Sequence, residues 1–400
     1  MARILKFETI DEFKDFLLKQ IKVDPRGIKF LKNKYQTLYF YFKNIPNHTC
    51  NIIKQEMLAC GGEAAVSKEV AQFKQGKSNI LIYGTRKAIQ KFIEKSEHQI
   101  KSVADISNQI KEALSTYESI PELEISRTKF DFKNKVYIMG VLNLTPDSFY
   151  DGGRYLDKEK AIQQALAMVK EGADIIDIGG ESTRPGAEKI SAKEEINRVI
   201  PVLKAIRKEI KIPISVDTYK SETAEAALIE GADIVNDISG LRFDKKMAKI
   251  IARYNAGVVV MHIKGTPKTM QLNPVYEDLV SEIKEHLEKS IKIALENGIN
   301  FNKIIIDPGI GFGKRLEDNY VIINKLEEFK IFGRPILIGL SRKSLIGKVL
   351  NQTPEERLPG TLVLNAISIL NGANIIRVHD VEEHKKMIKL VGFLKNKGVY

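Results

Sequence analysis

From about residue 136 onward, two hydrophobic patterns alternate along the chain. Short runs rich in Val and Ile, typical of buried parallel strands, are followed by stretches with apolar residues at helical spacing. The runs are VYIMGVLN, DIIDIGG, IPISVDT, DIVNDIS, GVVVMH, KIIIDPG, PILIGL and NIIRVHD. Eight strands separated by helices over about 260 residues predict an α/β fold of the (β/α)8, or TIM, barrel type.

The junctions from helix to strand also favour a closed array. EGADIIDI, EGADIVND and NGANIIRV each place a glycine where a helix needs a left-handed C-cap, and an apolar strand follows at once. The alternative is a doubly wound open sheet, which more often has about five to seven strands and less apolar edge strands. The repeated short turns therefore favour the barrel.

The chain before the barrel follows a different pattern. The runs ILKF, KYQTLYFYF and SNILIYG predict strands, with helical stretches between and after them. We predict a small α/β domain with its linker over residues 1–120, and the barrel over residues 121–400. No motif in the first domain indicates its role.

Composition narrows the class of protein. The chain has 400 residues, of which 43% are hydrophobic and 28% charged, as in an ordinary globular protein. No run reaches the ~18 apolar residues of a membrane span, and residues 1–20 lack the apolar core of a signal peptide. Cys50 and Cys60 form no CxxC pair. We therefore expect a cytoplasmic protein with reduced thiols and no membrane partner.

The net charge of +12 raises the question of nucleic-acid binding. Residues 1–125 hold 20 basic and 15 acidic residues, a net +5, and the remainder carries +7. The excess is thus spread along the chain, and no basic run is interleaved with stacking aromatic residues. We expect no nucleic-acid partner, while a local basic pocket for a small anion stays open.

The predicted strands end in polar or charged residues, or in a glycine turn that leads to them. In chain order these ends are Asn143, Gly179–Gly180–Glu181, Asp217, Asn236–Asp237, His262, Asp307, Ser341–Arg342–Lys343 and Arg377–Val378–His379–Asp380. The helix-to-strand junctions at the opposite end are plain. Because barrel enzymes hold their active sites at the carboxyl ends of the strands, this asymmetry predicts an active-site face.

Three of these residues suit a flat heterocycle. Asp217, Asn236 and Asp307 would project toward one mouth. A carboxylate there accepts two N–H bonds side by side, and an amide supplies one donor and one acceptor. For any one of them alone, capping of the following helix is the commoner role. Together they predict a site for a pterin or purine-like ring.

Basic residues form a second set, Arg184, Lys343, Arg377 and His379, after strands two, seven and eight. Arg377 and His379 are spaced by two and so share one face of the last strand, in the region where many barrels hold phosphate. The set predicts an oxyanion site. His262 has no second His or Cys at a metal-ligand spacing, and DPGIGFGK matches neither common glycine-rich phosphate motif, so we expect no zinc site.

Two long loops follow the first two strands, LTPDSFYDGGRYLD and ESTRPGAEKI. They are rich in Gly, Pro, Ser and Thr, and they would place Phe149 and Arg184 at the open end of the barrel. Ordinary surface loops are one explanation. Lids that order over a substrate and exclude water are the other.

These stretches resemble the dihydropteroate synthase family, in that family's order: MGVLNLTPDSFYDGG, DIGGESTRPGA, SVDT, VNDISG, MHIKGTPKTMQ, DPGIGFGK, GLSRKSLIG, ERLPGT and IRVHD. They span residues 138–380, and only Tyr150 and Leu345 depart from the usual pattern. The resemblance implies condensation of 6-hydroxymethyl-7,8-dihydropterin pyrophosphate with p-aminobenzoate to 7,8-dihydropteroate, with release of pyrophosphate. It also implies Mg²⁺ as cofactor and a homodimer.

The resemblance further implies roles for individual residues. The pterin ring would be held by Asp217, Asn236, Asp307 and Lys343. The pyrophosphate would be held by Arg184, Arg377 and His379, and Mg²⁺ by Asn143. The p-aminobenzoate would be surrounded by Thr183, Pro185, Phe149 and Ser344. The implied catalytic residues are Asp307, Lys343, Arg184 and the two lid aspartates, Asp147 and Asp151.

Three alternatives stay open. A pterin-binding methyltransferase-type barrel would keep the ring-binding residues but has no reason to keep ESTRPGA, SRKS or RVHD. A modified p-aminobenzoate could be the acceptor. A non-catalytic pterin- or nucleic-acid-binding protein would tolerate loss of Asn143 and Arg184, and its affinity for polyanions would fall steeply with salt.

Overall fold

The computed structural model describes residues 5, 7, 10–126, 128–144, 153–182, 186 and 188–396, with the side chains of 153–157 and 395–396 left aside. The chain divides into two compact units, Met1–Thr116 and Tyr117–Tyr400. Across the described residues, no helix is both long and apolar enough to cross a membrane.

The N-terminal unit is built on an antiparallel sheet. Its elements are α1 (Ile10–Lys19), α2 (Pro25–Leu31), β1 (Thr37–Pro46), α3 (Asn47–Cys60), β2 (Glu63–Val66), α4 (Lys68–Ala71), β3 (Lys77–Thr85), α5 (Arg86–Ser96) and α6 (Lys101–Glu118), which crosses into the next unit. The strand order is β1-β3-β2. Strand β2 was not predicted, and residues 5 and 7 of ILKF lie outside any strand.

Alternating burial explains this sheet. In β3, Ile80 and Ile82 are buried, while Leu81 and Tyr83 on the other face are partly exposed. The buried side packs with α3 and α5 into a small core that contains Cys50, Ile53, Met57, Phe92 and Val103. Both cysteines are free thiols. Only one face of the sheet is therefore covered by this unit's core, as is common for antiparallel sheets.

The second unit begins with a hairpin of β4 (Leu123–Ile125) and β5 (Thr128–Phe130) and continues into the barrel. The barrel strands are β6 (Tyr137–Asn143), β7 (Ile175–Gly179), β8 (Ile214–Asp217), β9 (Ile234–Asp237), β10 (Gly257–Met261), β11 (Ile304–Asp307), β12 (Leu337–Ile338) and β13 (Ile375–Val378). The outer helices are α7 (Gly153–Glu171), α8 (Ala192–Glu209), α9 (Ser221–Ile229), α10 (Met247–Arg253), α11 (Leu279–Glu296), α12 (Leu316–Asn324), α13 (Ser344–Leu350), α14 (Leu358–Leu370) and α15 (Val381–Asn396).

The eight strands form one parallel sheet that closes on itself. Its order is β11-β10-β9-β8-β7-β6-β13-β12, and a bridge between Ile306 and Ile336 joins the two ends. The prediction of a (β/α)8 barrel is confirmed. The predicted C-cap glycines Gly172, Gly231 and Gly372 all have positive φ, between 95° and 108°, as a left-handed helix end requires.

Strand register sets the level of the active-site face. Gly179 of β7 pairs with Asp217 of β8, and Asp217 pairs with Asn236 of β9. On the other side, Asn143 of β6 pairs with Gly179. Because the strands are parallel and in this register, their last residues reach one edge of the barrel together.

The β4–β5 hairpin closes the opposite end of the barrel. Leu123, Ile125 and Phe130 are buried against the first inward residues of the strands, including Tyr137 and Ile375. A Cβ on Gly257 would lie 2.2 Å from Ile125 Cδ1, so glycine permits this close approach. The hairpin therefore belongs to the barrel core although it precedes the first barrel strand.

Candidate active site

The carboxyl ends of four strands bring charged and polar side chains into the barrel mouth. Asp217 ends β8, Asn236 stands near the end of β9, and Asp307 ends β11. Lys343 directly precedes α13, and Arg377 lies in β13. Asn236 and Asp307 are buried, with 5% and 6% of their surface exposed. These predicted residues therefore share one site.

Arg377 joins two carboxylates at the floor of this mouth. Its Nε donates to Asp177 Oδ2 over 2.6 Å, and its Nη2 donates to Asp217 Oδ2 over 2.8 Å. Asn236 Nδ2 donates to the same Asp177 oxygen over 3.0 Å. The prediction placed Arg377 on the pyrophosphate, but two of its three nitrogens face these carboxylates in the structure.

Asp177 is the residue that sequence reasoning missed. It lies within DIIDIGG, which we interpreted only as a buried strand, and its side chain is fully buried. A carboxylate at an inward position of a barrel strand is costly to bury unless it is paired. An aspartate inside the apolar run DIIDIGG was therefore the sequence feature that could have indicated a functional or ion-pairing role for Asp177.

Two carboxylate oxygens of this cluster make no hydrogen bond within the described residues. They are Oδ1 of Asp177 and Oδ1 of Asp217, both buried. A ligand with adjacent N–H donors would supply the missing bonds, because an ionised carboxylate can only accept. Asn236 can bond such a ring as well through its own oxygen. The donor pattern of the mouth therefore fits a nitrogen heterocycle.

Burial shifts the pKa values of the charged groups in the mouth. Removal from water raises the pKa of Asp217, with Arg377 opposing and Asp177 adding to the effect. Burial likewise raises the pKa of Asp307, against the attraction of Lys343. Burial lowers the pKa of Lys343 to about 8. Burial thus shifts the pKa values of both acids upward and that of the lysine downward, and perturbed pKa values of this kind are common at functional sites.

Residues 308–314, here called the glycine loop, connect Asp307 with Lys343. The backbone N–H of Gly309 donates to Asp307 Oδ1 over 2.6 Å. A Cβ on Gly309 would lie 1.9 Å from the His262 carbonyl oxygen, so this position with φ of 72° accepts only glycine. Lys343 Nζ donates to the Ile310 carbonyl over 2.6 Å. Because the loop bonds to both residues, it sets the distance between the Asp307 carboxylate and the Lys343 amine.

A second group of side chains lies at the ends of β6, β12 and β13. Asn143 Nδ2 is 3.4 Å from His379 Nε2, and His379 Nδ1 is 2.9 Å from Ser341 Oγ. A Cβ on Gly179 would meet Asn143 Oδ1 at 3.6 Å on one side and Asp217 Oδ2 at 3.8 Å on the other. Asn143 and His379 therefore border the same mouth as the carboxylates.

The remaining predicted residues divide into two groups. Ser344 begins α13 and is exposed beside Lys343. Six others lie outside the described residues: Asp147, Phe149, Asp151, Thr183, Arg184 and Pro185. The residues predicted to hold the pterin and the Asn143–His379 pair thus lie among the described residues, whereas most of the predicted acceptor residues do not.

Comparison with known proteins gives a consistent result. The model of the pterin binding enzyme family matches residues 139–379. Dihydropteroate synthases from Synechocystis and Bacillus subtilis are 47% and 46% identical over 68% and 70% of this chain, covering 95% and 97% of their own lengths. A probable bifunctional folylpolyglutamate synthase/dihydropteroate synthase of Haloferax volcanii is 35% identical over 85% of this chain and 41% of its own.

Solved structures agree with these relatives. The dihydropteroate synthase of Yersinia pestis in complex with a sulfonamide drug is 39% identical, with a TM-score of 0.66 over 69% of this chain and 99% of that one. The enzyme of Thermus thermophilus with 4-aminobenzoate is 38% identical, with a TM-score of 0.61 over 70% of this chain and 100% of that one. The shared part corresponds in length to the barrel unit.

Proposed function

The chain belongs to the dihydropteroate synthase family of pterin-binding enzymes, and from this premise we propose how its residues carry out the family's reaction. As a transferase of folate biosynthesis, it joins a dihydropterin to p-aminobenzoate. The observation that carries the residue assignments is the cluster of Asp177, Asp217, Asn236, Asp307 and Lys343 at one barrel mouth.

The pterin ring is held by hydrogen bonds to the strand ends. The carboxylate of Asp217, whose side chain is 10% exposed, accepts the amidine-like N–H pair of the ring, and Asn236 supplies one donor and one acceptor. Lys343 donates to a ring acceptor, and Arg377 aligns the carboxylates of Asp177 and Asp217. Burial raises the pKa of Asp307, and the nearby charges of Lys343 and Arg377 oppose that effect.

The pyrophosphate lies over the second group of side chains. His379 and Asn143 border the mouth, and Arg377 Nη1 takes part in neither of its two carboxylate bonds. Arg184 belongs to this group as well, although it lies outside the described residues. These cations and N–H donors stabilise the negative charge that accumulates on the leaving group.

The donor set fits Mg²⁺ held largely by the substrate. Among the described residues, no three His, Cys, Asp or Glu side chains gather as a metal cage. Asn143 offers an amide oxygen next to Gly179, and Mg²⁺ commonly binds one or two protein oxygens together with substrate phosphates and water. When bound there, Mg²⁺ would neutralise phosphate charge.

The reaction then follows from charge. The bond between the pterin methylene carbon and the pyrophosphate oxygen breaks, and its electron pair leaves with pyrophosphate. The cation left behind is delocalised into the ring, where the Asp307 carboxylate stabilises it. The neutral amine of p-aminobenzoate forms the C–N bond with this carbon and releases a proton. An aniline nitrogen needs no strong base, which agrees with a site that has no His or Lys assigned to that task.

The acceptor lies beside the ring near the start of α13. Ser344 is exposed there, and Thr183, Pro185 and Phe149 complete the set. Asp147 and Asp151, the lid aspartates implied by the resemblance, lie outside the described residues, and their role stays a prediction from the sequence. Two of the solved relatives carry a sulfonamide or 4-aminobenzoate. We therefore expect sulfonamides to compete with p-aminobenzoate in this chain.

We also propose that the chain forms a homodimer in the cytoplasm, through an apolar surface on α14 and α15. Helices α14 and α15 expose a set of large apolar side chains: Val363, Ile367, Leu370, Leu390, Phe393 and Leu394. Exposed apolar side chains on two helices in contact with each other suit a protein interface. A second copy of the chain is the occupant that the family suggests.

The test is release of pyrophosphate from 6-hydroxymethyl-7,8-dihydropterin pyrophosphate, with and without p-aminobenzoate and with and without Mg²⁺. We expect release that requires Mg²⁺ and yields 7,8-dihydropteroate in equal amount. Tight pterin binding without release would mean that the barrel uses another acceptor, and the roles of the two loops would be withdrawn.

A further inference from the structure

Side chains hold four successive carbonyl groups of the glycine loop. Ile310 O accepts from Lys343 Nζ over 2.6 Å, and Gly311 O accepts from Gln271 Nε2 over 2.8 Å. Phe312 O accepts from Lys314 Nζ over 3.1 Å, and Gly313 O accepts from Tyr276 OH over 2.5 Å. This segment belongs to no helix or strand, so these bonds determine its shape.

Lys314 is the most deeply buried of the four donors, and burial lowers the pKa of its amine to about 7. Only 3% of its surface is exposed, whereas the Gln271 and Tyr276 bonds lie nearer the solvent. Its Nζ also lies 2.9 Å from Nδ1 of His262 at the end of β10. Burial of an ammonium group carries a large desolvation cost, which a methionine of similar length would avoid. Stability alone therefore does not explain a lysine here.

His262 is shaped to receive this bond. Burial lowers its pKa well below the usual value, and the charges of Lys314 and Arg242 add to that shift. The ring is therefore neutral near pH 7, and Nδ1 has a lone pair to accept from Lys314. The His286 ring packs edge-on against it at 4.7 Å, with its own Nδ1 2.6 Å from Arg242 Nη1. The amine of Lys314 is thus held by His262, whose ring is itself fixed by packing against His286.

The glycine loop connects Lys314 with Lys343, the lysine predicted to bind the pterin. Phe312, whose carbonyl Lys314 holds, places its ring 4.9 Å from Lys343 Nζ. Two residues earlier, Ile310 O accepts from the same Nζ. At its other end the loop donates from Gly309 to Asp307. A shift of the loop would therefore move both the amine and the acid of the ring site.

We propose that Lys314, supported by His262, is a positioning residue for the pterin, acting through the glycine loop on Lys343 and Asp307. It does not touch the substrate. The inference rests on the proposed function, because it assigns Lys314 to the ring site and not to the acceptor site. A purely structural lysine would affect stability or both substrates alike.

The experiment compares three variants of the full chain. Lys314→Met removes both hydrogen bonds together with the amine, and Lys314→Gln keeps a shorter amide donor. The matched control is Lys264→Met, because Lys264 also borders the loop at Gly313 but directs its Nζ to the Val275 carbonyl and to Glu282 at 3.1 Å. Each protein is titrated with 6-hydroxymethylpterin by pterin fluorescence, which is favourable in a chain without tryptophan. Steady-state KM values and thermal melts accompany the titrations.

We expect Lys314→Met to weaken pterin binding about tenfold or more, because it leaves the Phe312 carbonyl and His262 Nδ1 without their donor. Lys314→Gln should weaken it less, and the KM for p-aminobenzoate should change less than about threefold in both. Lys264→Met should bind pterin like the wild type. The inference is wrong if the folded Lys314 variants keep wild-type pterin affinity, or if both substrates are affected equally.

Two results separate this inference from the proposed function. A wild-type chain that neither binds the pterin nor releases pyrophosphate contradicts the proposed function itself. An active wild type whose Lys314 variants resemble Lys264→Met contradicts only the positioning role. If Lys314→Met does not fold, Lys314→Gln decides the question, since unchanged pterin affinity in that variant overturns the inference.

Discussion

Arg342 and Asp380 join the last two strand ends of the barrel through two parallel hydrogen bonds. Arg342 Nε donates to Asp380 Oδ2 over 2.9 Å, and Nη2 donates to Oδ1 over 2.6 Å. Arg342 directly precedes Lys343, and Asp380 directly follows His379. The pair therefore fixes the spacing between the sides of the mouth that we propose bind the ring and the pyrophosphate.

Asp380→Asn should reduce kcat/KM by about tenfold to a hundredfold with little unfolding. An amide presents one N–H to the arginine fork, so only one of the two hydrogen bonds can remain. Steady-state kinetics and a thermal melt would measure the effect. The control is Lys386→Ala, which removes an exposed ion pair to Glu382 on the same helix and should leave both readouts unchanged. Equal activity of the two variants would contradict the role of the pair.

Asp307→Asn should lower kcat by about a hundredfold or more, because a neutral amide cannot stabilise the developing cation. The fold should persist, since the asparagine oxygen can still accept from Gly309. Single-turnover rates would measure the loss, with pterin titration to show that the substrate still binds. Asp131→Asn, at an exposed turn far along the chain from the mouth, serves as the control. Wild-type turnover by folded Asp307→Asn would remove this residue from the reaction.

Lys343→Ala should also lose most activity, mainly through weaker binding of the dihydropterin pyrophosphate. It removes the donor to the ring and the bond to Ile310 O at once. The expected signature is a KM for the pterin substrate raised about tenfold or more, because the loss of a hydrogen bond from a charged group is of that size. A KM that stays unchanged in a folded variant would contradict the assignment.

The pH dependence of kcat/KM should be bell-shaped. Asp217 must be ionised to accept the ring N–H groups, and burial raises its pKa, so the acid limb should lie above the usual carboxyl range. Activity then rises as pH increases through that value. Lys343 must keep its proton, and burial lowers its pKa to about 8, so activity falls above that pH. An acid limb that is unchanged in Asp217→Asn would contradict the first assignment.

A chain shortened to begin at Tyr117 should fold and keep its activity, because it retains the β4–β5 hairpin. A chain that begins at Asp131 should unfold at much lower temperature. It loses the burial of Leu123, Ile125 and Phe130, each of which contributes roughly 2 kcal/mol. Circular dichroism melts and the pyrophosphate assay would compare the two. A folded but inactive Tyr117 chain would show that the N-terminal unit takes part in the reaction.

The sequence was sufficient to predict the barrel and the level of its active-site face. Apolar runs and C-cap glycines are local signals, and both were confirmed in β6 to β13. The partners of Arg377 were not predictable, because Asp177 and Asp217 lie on strands 200 and 160 residues away along the chain. Spacing by two indicates which face a side chain takes, but not which remote group it meets.

Lys314 and His262 illustrate the same limit. The sequence indicated a lone histidine and a weak glycine-rich motif, and each taken alone favours a structural role. Only folding brings the two side chains within 2.9 Å of each other beneath the loop. For the N-terminal unit, the structure shows a well-defined hydrophobic core. Its sequence nevertheless contains no motif that assigns a role.

The shared carboxylate of Asp177 has a consequence for the evolution of drug resistance. Arg377 and Asn236 both donate to the same oxygen, so Asn236, which we propose contacts the ring, is restrained by the arginine that also holds Asp217. A substitution that expels an inhibitor from the ring site would disturb the remaining partners, and with them the natural substrate. We therefore expect substitutions at this floor that weaken inhibitor binding to weaken binding of the natural substrate as well.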